Sequence, residues 1–478
     1  MYDVLIIGAG ITGILVSREL ARYQLNIAIL ERSNDVGNKT TSANSAIIHS
    51  GCDPEPGTNK AKFNILGNAM FDELTKQLDV EFRRNGSLTI ALSEDQLKAL
   101  DALEERSKIN GVPFKRLSKQ EVLALESHLS NNVTGALFFP TAGIIDPFNL
   151  SIHAMENAID NGVHLFLREE VIDIKKKVSH YLVKTKTGEY KSKIVINAAG
   201  NHADVIAKMV EPIDWSIIPR KGEYFILDHF AKGFVEHTIF PLPSDKGKGV
   251  LISPTTSDNY IVGPSSEPIL DKDDYSTDGP TLQSVRQQAL AMVPSIPFGK
   301  VIRVFSGLRP SSSRHDFIIE YSRSDSRFIN VAGIESPGLV SSPAIAQYVV
   351  NELVRPLISL KEKSNFNPNI RPYVHLNKMS KKEREIFVKE NPEFGEMVCS
   401  CEKVSVGEIK DLLVRSCPPR SIKGVKRRTR AGFGRCQGGF CQPKILFLLA
   451  NHYGVSPLEI PLDDVDSPIL TSRIKEVK

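Results

Sequence analysis

Five of the six cysteines crowd into the last fifth of the chain: Cys399, Cys401, Cys417, Cys436 and Cys441. Cys399-x-Cys401, then thirty-four residues, then Cys436-x4-Cys441 is a metal-ligand spacing. Four thiolates can hold a [2Fe–2S] cluster or a zinc ion. Zinc modules more often show two C-x2-C pairs, which these cysteines do not form. Glycines around Cys436 and Cys441 let backbone N–H groups approach the sulfurs and tune a cluster. Cys417, in Cys-Pro-Pro, has the character of a spare loop thiol, and Cys52 stands alone near the N-terminus as a packing residue. Six cysteines are too few for a disulfide scaffold in so long a chain.

A second chemical signal lies at the N-terminus. Gly8-Ala9-Gly10-Ile11-Thr12-Gly13 is a G-x-G-x-x-G sequence. It follows a predicted strand, Val4 to Ile7, and opens a helical pattern from Ile11 to Tyr23. A second strand, Ile27 to Leu30, comes next, completing a βαβ unit. In that context the motif binds a dinucleotide. Gly8 permits the tight turn, Gly10 lets backbone approach the pyrophosphate, and Gly13 lets the helix pack on the strand. The N–H groups at Ile11 and Thr12 open the helix toward the phosphates. Glu31, with Arg32 beside it, follows the second strand, where an acid accepts hydrogen bonds from a ribose and disfavours a 2′-phosphate. The motif alone does not choose between NAD and FAD. No second such motif follows a strand, so an additional NAD(P) site is not expected.

The choice falls to the segment ERSNDVGNKTTSANSAIIHSG, which resembles the D-amino-acid-oxidase-like FAD family, especially its glycerol-3-phosphate and L-2-hydroxyglutarate dehydrogenases. VINAAGNHAD (Val195 to Asp204) and GIESPGLVSSPAIA (Gly333 to Ala346) resemble two further stretches of that family, in the family's order. The resemblance implies that Thr41, Ser42, Asn44 and Ser45 contact FAD, and that His49 lies beside the isoalloxazine ring. It also implies cofactor contacts at Val171, Ala199 and Gly200. The Gly338–Leu339 turn would start a helix whose positive end faces the flavin. Gly307-Leu308-Arg309-Pro310 matches the family's G-x-R-P, in which the arginine reaches the anionic group of the substrate. A planar guanidinium can grip a carboxylate or phosphate through two parallel bonds. An imidazole can accept a hydroxyl proton near neutral pH, so His49 is the candidate base and Arg309 the candidate anchor. Lys221-Gly222-Glu223-Tyr224 also resembles a family stretch.

These residues imply an FAD-dependent dehydrogenase acting on a small anionic secondary alcohol. Oxidation of sn-glycerol 3-phosphate to dihydroxyacetone phosphate is the first expectation. L-2-hydroxyglutarate oxidation and an amino-acid or opine oxidase subunit are the alternatives. VCSCEKVSVGEI … RRTRAGFGRCQGGFC resembles the bacterioferritin-associated-ferredoxin-like domain, which implies a [2Fe–2S] cluster on Cys399, Cys401, Cys436 and Cys441. Electrons would then leave toward an acceptor protein or flavoprotein subunit, with peripheral membrane association through that partner. Between Ser421 and Cys441 there are six basic residues and no acidic one. This charge offsets a cluster or docks an acidic partner on one reading, and is a solvated helix face on another. No aromatic interleaving supports nucleic acid.

The whole chain must position these groups. Its 478 residues suggest two to four domains at about 100–200 residues each. A hydrophobic share of 41% suffices for packed cores, and a formal net charge of +4 calls for no polyanionic partner. No apolar run reaches the roughly 18 residues of a membrane span. The opening MYDVLIIGAG lacks the pattern of a secretory signal, so the cytoplasm is the expected compartment. The expected fold is α/β (α+β overall). A Rossmann-like FAD-binding domain takes residues 1–80, 141–211 and 301–354. An inserted antiparallel-sheet substrate domain takes 81–140 and 212–300. A linker spans 355–397, and a small helical cysteine-rich domain spans 398–465.

Overall fold

The computed structural model describes residues 1–243 and 249–473. Strand β1 (Tyr2–Ile7), helix α1 (Ile11–Leu20) and strand β2 (Ile27–Glu31) form the expected βαβ unit. Val4 to Ile7 and Ile27 to Leu30 are buried on both faces, as a parallel strand sandwiched by helices must be. The sheet has eight strands, ordered Val171–Lys176, Tyr181–Thr185, Glu189–Asn197, β1, β2 and Val163–Leu167. Glu189–Asn197 also pairs in parallel with Phe328–Ala332, which in turn pairs with Ile318–Tyr321. Helix Pro147–Asp160 begins as its sequence suggests. Asp146 accepts from the N–H groups of Phe148 and Asn149, and Pro147 occupies the first turn.

A second sheet of nine strands carries the substrate side. Most of its pairs are antiparallel, but Ser87–Ala91 runs parallel to Thr238–Pro241. That junction joins two strands far apart in the chain, where no hairpin imposes an antiparallel pairing. The strand Val301–Ser312 pairs along its length with Ile217–Leu227. Residues 301–312 therefore lie in the second sheet, not in the dinucleotide sheet expected of them. Three helices, Leu97–Ile109, Lys119–Leu125 and Gly279–Met292, back this sheet in stretches expected to hold strands. Leu97–Ile109 buries Leu100, Leu103 and Ser107 at helical spacing.

The segment after Arg355 wraps back over the dinucleotide domain. Arg18 of α1 donates to the Pro368 carbonyl and to Asn157 Oδ1, both at 2.9 Å. Tyr373 stacks on buried His153 at 4.1 Å and donates to Glu156 Oε2 at 2.7 Å. This stretch also contains a helix, Lys381–Glu390. The C-terminal domain packs helices Val406–Leu413, Ile422–Thr429 and Gln442–Tyr453 around its own apolar core. Its first helix opens on a capping box between Ser405 and Glu408.

Candidate active site and cysteine centre

A cavity of about 800 Å3 lies where β1, β2, Glu189–Asn197 and Phe328–Ala332 end. This is the crevice outside the carboxyl ends of parallel strands, where such sheets take their ligands. Gly8 turns there with φ +103°, and a Cβ on it would meet the Ala198 carbonyl oxygen at 2.5 Å. A Cβ on Gly13 would meet the Gly8 carbonyl oxygen at 2.1 Å. Gly13 thus packs helix on strand and stays off the cavity wall, whereas Gly10, Ile11 and Thr12 line it. The Ile11 N–H donates to Thr41 Oγ1 at 3.0 Å, so one free donor of the helix terminus meets a side chain.

Glu31 lines the cavity at the end of β2. Its carboxylate accepts from the N–H groups of Ala9 at 2.9 Å and Ser33 at 2.8 Å, which fix it beside the glycine turn. Arg32 pairs with Asp273 at 2.7 Å and lies next to His202. Burial, and then the Arg32 charge, pull His202 below its ordinary value. Val171, Ala199 and Gly200 complete this end of the wall.

The segment after β2 supplies the long side of the cavity. Asn44 donates to the carbonyls of Thr40 and Thr41 and accepts from the Ala46 N–H, so its side chain shapes the turn while lining the wall. Thr41, Ser45 and His49 also face the cavity. Ser42 does not: its hydroxyl donates to the Lys39 carbonyl within its own turn. The amides of Asn64 and Asn68 hold the His49 carbonyl at 2.8 and 2.9 Å. These two buried asparagines give no sequence signal, because they sit on the helix Asn59–Asn68 with ordinary spacing. That helix backs the helix Gly338–Tyr348, and a Cβ on Gly67 would meet the Val340 carbonyl oxygen at 2.0 Å. Gly338 and Leu339 then present that helix's N-terminus to the cavity.

Arg309 enters from the second sheet. Gly307, two residues before it, lies against the Ala43 carbonyl, where a Cβ would be 1.9 Å away. This close approach seats the strand on the 40–46 segment. Gly222 is the cross-strand neighbour of Gly307 and makes room for the guanidinium. Arg309 Nη2 donates to the Ser265 carbonyl at 2.5 Å, while its Nε is buried without a hydrogen-bond partner. Asn38 Oδ1 and Ser266 Oγ, on the same cavity wall, are likewise buried and unsatisfied. Polar atoms so placed fit a polar ligand that completes them. Tyr224 is buried on the wall, stacked on Phe305 at 4.6 Å, with its hydroxyl 3.4 Å from Ser45 Oγ.

The four paired cysteines come together in the C-terminal domain. Cys401 Sγ lies 3.7 Å from Cys436 Sγ, and Cys399 is hydrogen-bonded to Cys441. Two thiolates on one tetrahedral metal, with bonds of about 2.3 Å, stand close to that distance apart. Among the described residues no three metal-ligating side chains converge on one point. Backbone N–H groups of Gly438, Phe440 and Gly439 point at Cys436, and that set holds its thiol below the ordinary value. The sulfurs thus sit among donors fit to stabilise thiolate charge. Cys417 is apart from them, buried beside Arg428 and pushed up to about 11 by burial. Cys52 lines a small neighbouring hollow with His49.

Part of the basic stretch serves as an interface. Arg427 and Arg428 are buried against Asp35 of the dinucleotide domain, at 3.1 and 2.8 Å. Arg430 pairs with Glu402, and Lys423 with Asp463. Arg415 meets Glu156 at 2.9 Å, with both side chains buried. Arg303 of the substrate sheet donates to Gln437, next to Cys436.

The chain matches the FAD dependent oxidoreductase (DAO) family over residues 3–352 and the BFD-like [2Fe-2S] binding domain over residues 397–451. It is 45% identical to a glycerol 3-phosphate dehydrogenase of Caloramator mitchellensis, over 99% of both chains. A glycerol 3-phosphate oxidase of Mycoplasma genitalium is 32% identical over 77% of this chain and 97% of its own. The FAD-bound L-alpha-glycerophosphate oxidase of Mycoplasma pneumoniae superposes with a TM-score of 0.75 at 30% identity, covering 78% of this chain and 99% of its own. No helix among the described residues is long and apolar enough to cross a membrane. The protein is an FAD-dependent oxidoreductase of the DAO family, extended at its C-terminus by a BFD-like [2Fe–2S] domain.

Proposed function

We propose that this protein oxidises sn-glycerol 3-phosphate to dihydroxyacetone phosphate and passes the electrons to an acceptor protein. One observation carries the reading: the 45% identity to a glycerol 3-phosphate dehydrogenase runs through both the flavin body and the cysteine domain. The Mycoplasma oxidases match only about three-quarters of this chain, at 77% and 78%. The additional C-terminal domain favours a dehydrogenase over an oxygen-consuming oxidase.

The glycine turn from Gly8 to Gly13, Glu31, Arg32, Thr41, Asn44, Ser45, Val171, Ala199, Gly200, Gly338 and Leu339 would hold FAD. Cys399, Cys401, Cys436 and Cys441 would hold the cluster. When bound, FAD supplies the hydride acceptor and the [2Fe–2S] cluster a one-electron outlet. Arg309 grips the substrate phosphate and so fixes the carbinol carbon in the cavity. His49 accepts the hydroxyl proton as the carbon loses its hydride, leaving a ketone.

An anaerobic absorbance titration tests the proposal. Glycerol 3-phosphate is expected to bleach the flavin band and then the cluster band. Bleaching by L-2-hydroxyglutarate alone, or by neither compound with flavin bound, would overturn the substrate. Rapid peroxide release at full turnover would overturn the acceptor.

A further inference from the structure

We infer that the exposed face around Cys401 and Phe440 is the docking site for an acidic electron-carrier protein. The inference rests on the reading above, in which the cluster is the electron outlet, and it specifies where and to what the electrons leave.

Cys401 is exposed, whereas Cys399 and Cys441 are buried, so one edge of the cysteine centre faces solvent. Phe440, between Cys436 and Cys441, is 85% exposed. Phe447 and Met397 are exposed as well, and Lys444 donates to the Met397 carbonyl, which places the helix Gln442–Tyr453 beside the strand leading to Cys399. Large apolar side chains gathered at a solvent edge mark an interaction surface.

Charge identifies the occupant. Five cations of this domain, Arg415, Lys423, Arg427, Arg428 and Arg430, are spent on acidic partners. Lys403 and Arg435 flank Cys401 and Cys436, are exposed, and have no ion-pair partner among the described residues. Glu402, the carboxylate next to Lys403 in sequence, is taken by Arg430. Exposed apolar side chains with two unpaired cations beside the cysteines match a carrier that presents acidic residues around its own contact face. Each encounter would oxidise the cluster by one electron and reduce the carrier by one, so two encounters clear one substrate.

The test measures binding by the full-length holoprotein, with flavodoxin as the acidic probe and cytochrome c as the basic one. Flavodoxin is expected to bind, and its Kd to weaken at least about tenfold between roughly 20 and 200 mM salt, as screening removes the charge attraction. Phe440→Ser and Arg435→Glu are each expected to weaken it by about tenfold or more with cluster absorbance intact. Equal binding of cytochrome c, no binding of flavodoxin, or variants that bind as the wild type would overturn the inference. Self-association in sedimentation that Phe440→Ser abolishes would also overturn it, since a second copy would then be the occupant. Binding needs no substrate, so an incorrect alcohol leaves this result unaffected. Loss of substrate bleaching with flavodoxin binding intact would overturn only the substrate.

Discussion

Arg309 meets its surroundings through one carbonyl and leaves Nε for a ligand. A lysine there keeps the charge but loses the planar, two-bond grip. Arg309→Lys is expected to lower kcat/KM for glycerol 3-phosphate by about 10- to 150-fold, the equivalent of about 1.5–3 kcal/mol for a charged hydrogen bond. Gly222→Ala acts on the same group from behind. Its Cβ would lie 2.4 Å from Arg309 Nη2 and 2.7 Å from Pro264 Cβ. The expected result is a raised KM with unchanged flavin content, measured by steady-state kinetics and absorbance. His49→Asn is expected to lower kcat by about 10²–10⁴, the usual share of a general base, with flavin still bound. The G-x-G-x-x-G and the four paired cysteines were legible because each carries its chemistry in local spacing. Asn64 and Asn68 were not, and of Gly222 only its stretch was singled out, because their importance lies in what stands across from them.

The helix Ile422–Thr429 shows how an element can be misjudged from its composition. Its basic run suits a solvated face or a charge offset for a cluster, yet Arg427 and Arg428 are buried on Asp35. Burial alone would raise the Asp35 carboxyl. The guanidinium of Arg428, and then that of Arg427, override this and hold it well below the usual carboxylate range. A carboxyl depressed in the fold stabilises it above the unfolded pKa of about 3.9 and loses that effect as pH falls through the folded value. The contact should therefore be at full strength at pH 7 and weaken only below about pH 5. Asp35→Asn leaves buried Arg428 without its carboxylate, while Arg427 keeps Asp463; this costs about 3–5 kcal/mol and removes the acid dependence. Hydrogen exchange across Ile422–Thr429 as a function of pH checks both outcomes. Unchanged protection in the variant would show that the pair does not hold the domain in place.

The whole molecule joins a flavin body to a cysteine domain through buried ion pairs and a wrapped segment, so the two redox sites can be separated by mutation. Cys401→Ser is expected to abolish cluster absorbance while glycerol 3-phosphate still bleaches the flavin. An absorbance titration of the variant decides this, and loss of flavin bleaching would mean that the domains fold as one unit. Residue type and local spacing were enough to establish the βαβ turn, the family resemblance, the cysteine spacing and the two-sheet plan. Those features repeat over a few residues, and short-range sterics and hydrophobic period determine them. Pairings between distant segments were decided only in three dimensions: Val301–Ser312 in the second sheet, the parallel junction of Ser87–Ala91 with Thr238–Pro241, and Asp35 beneath Arg428. Each depends on which surfaces remain to be buried once the local elements have formed, and that is a property of the packed chain rather than of any stretch of it.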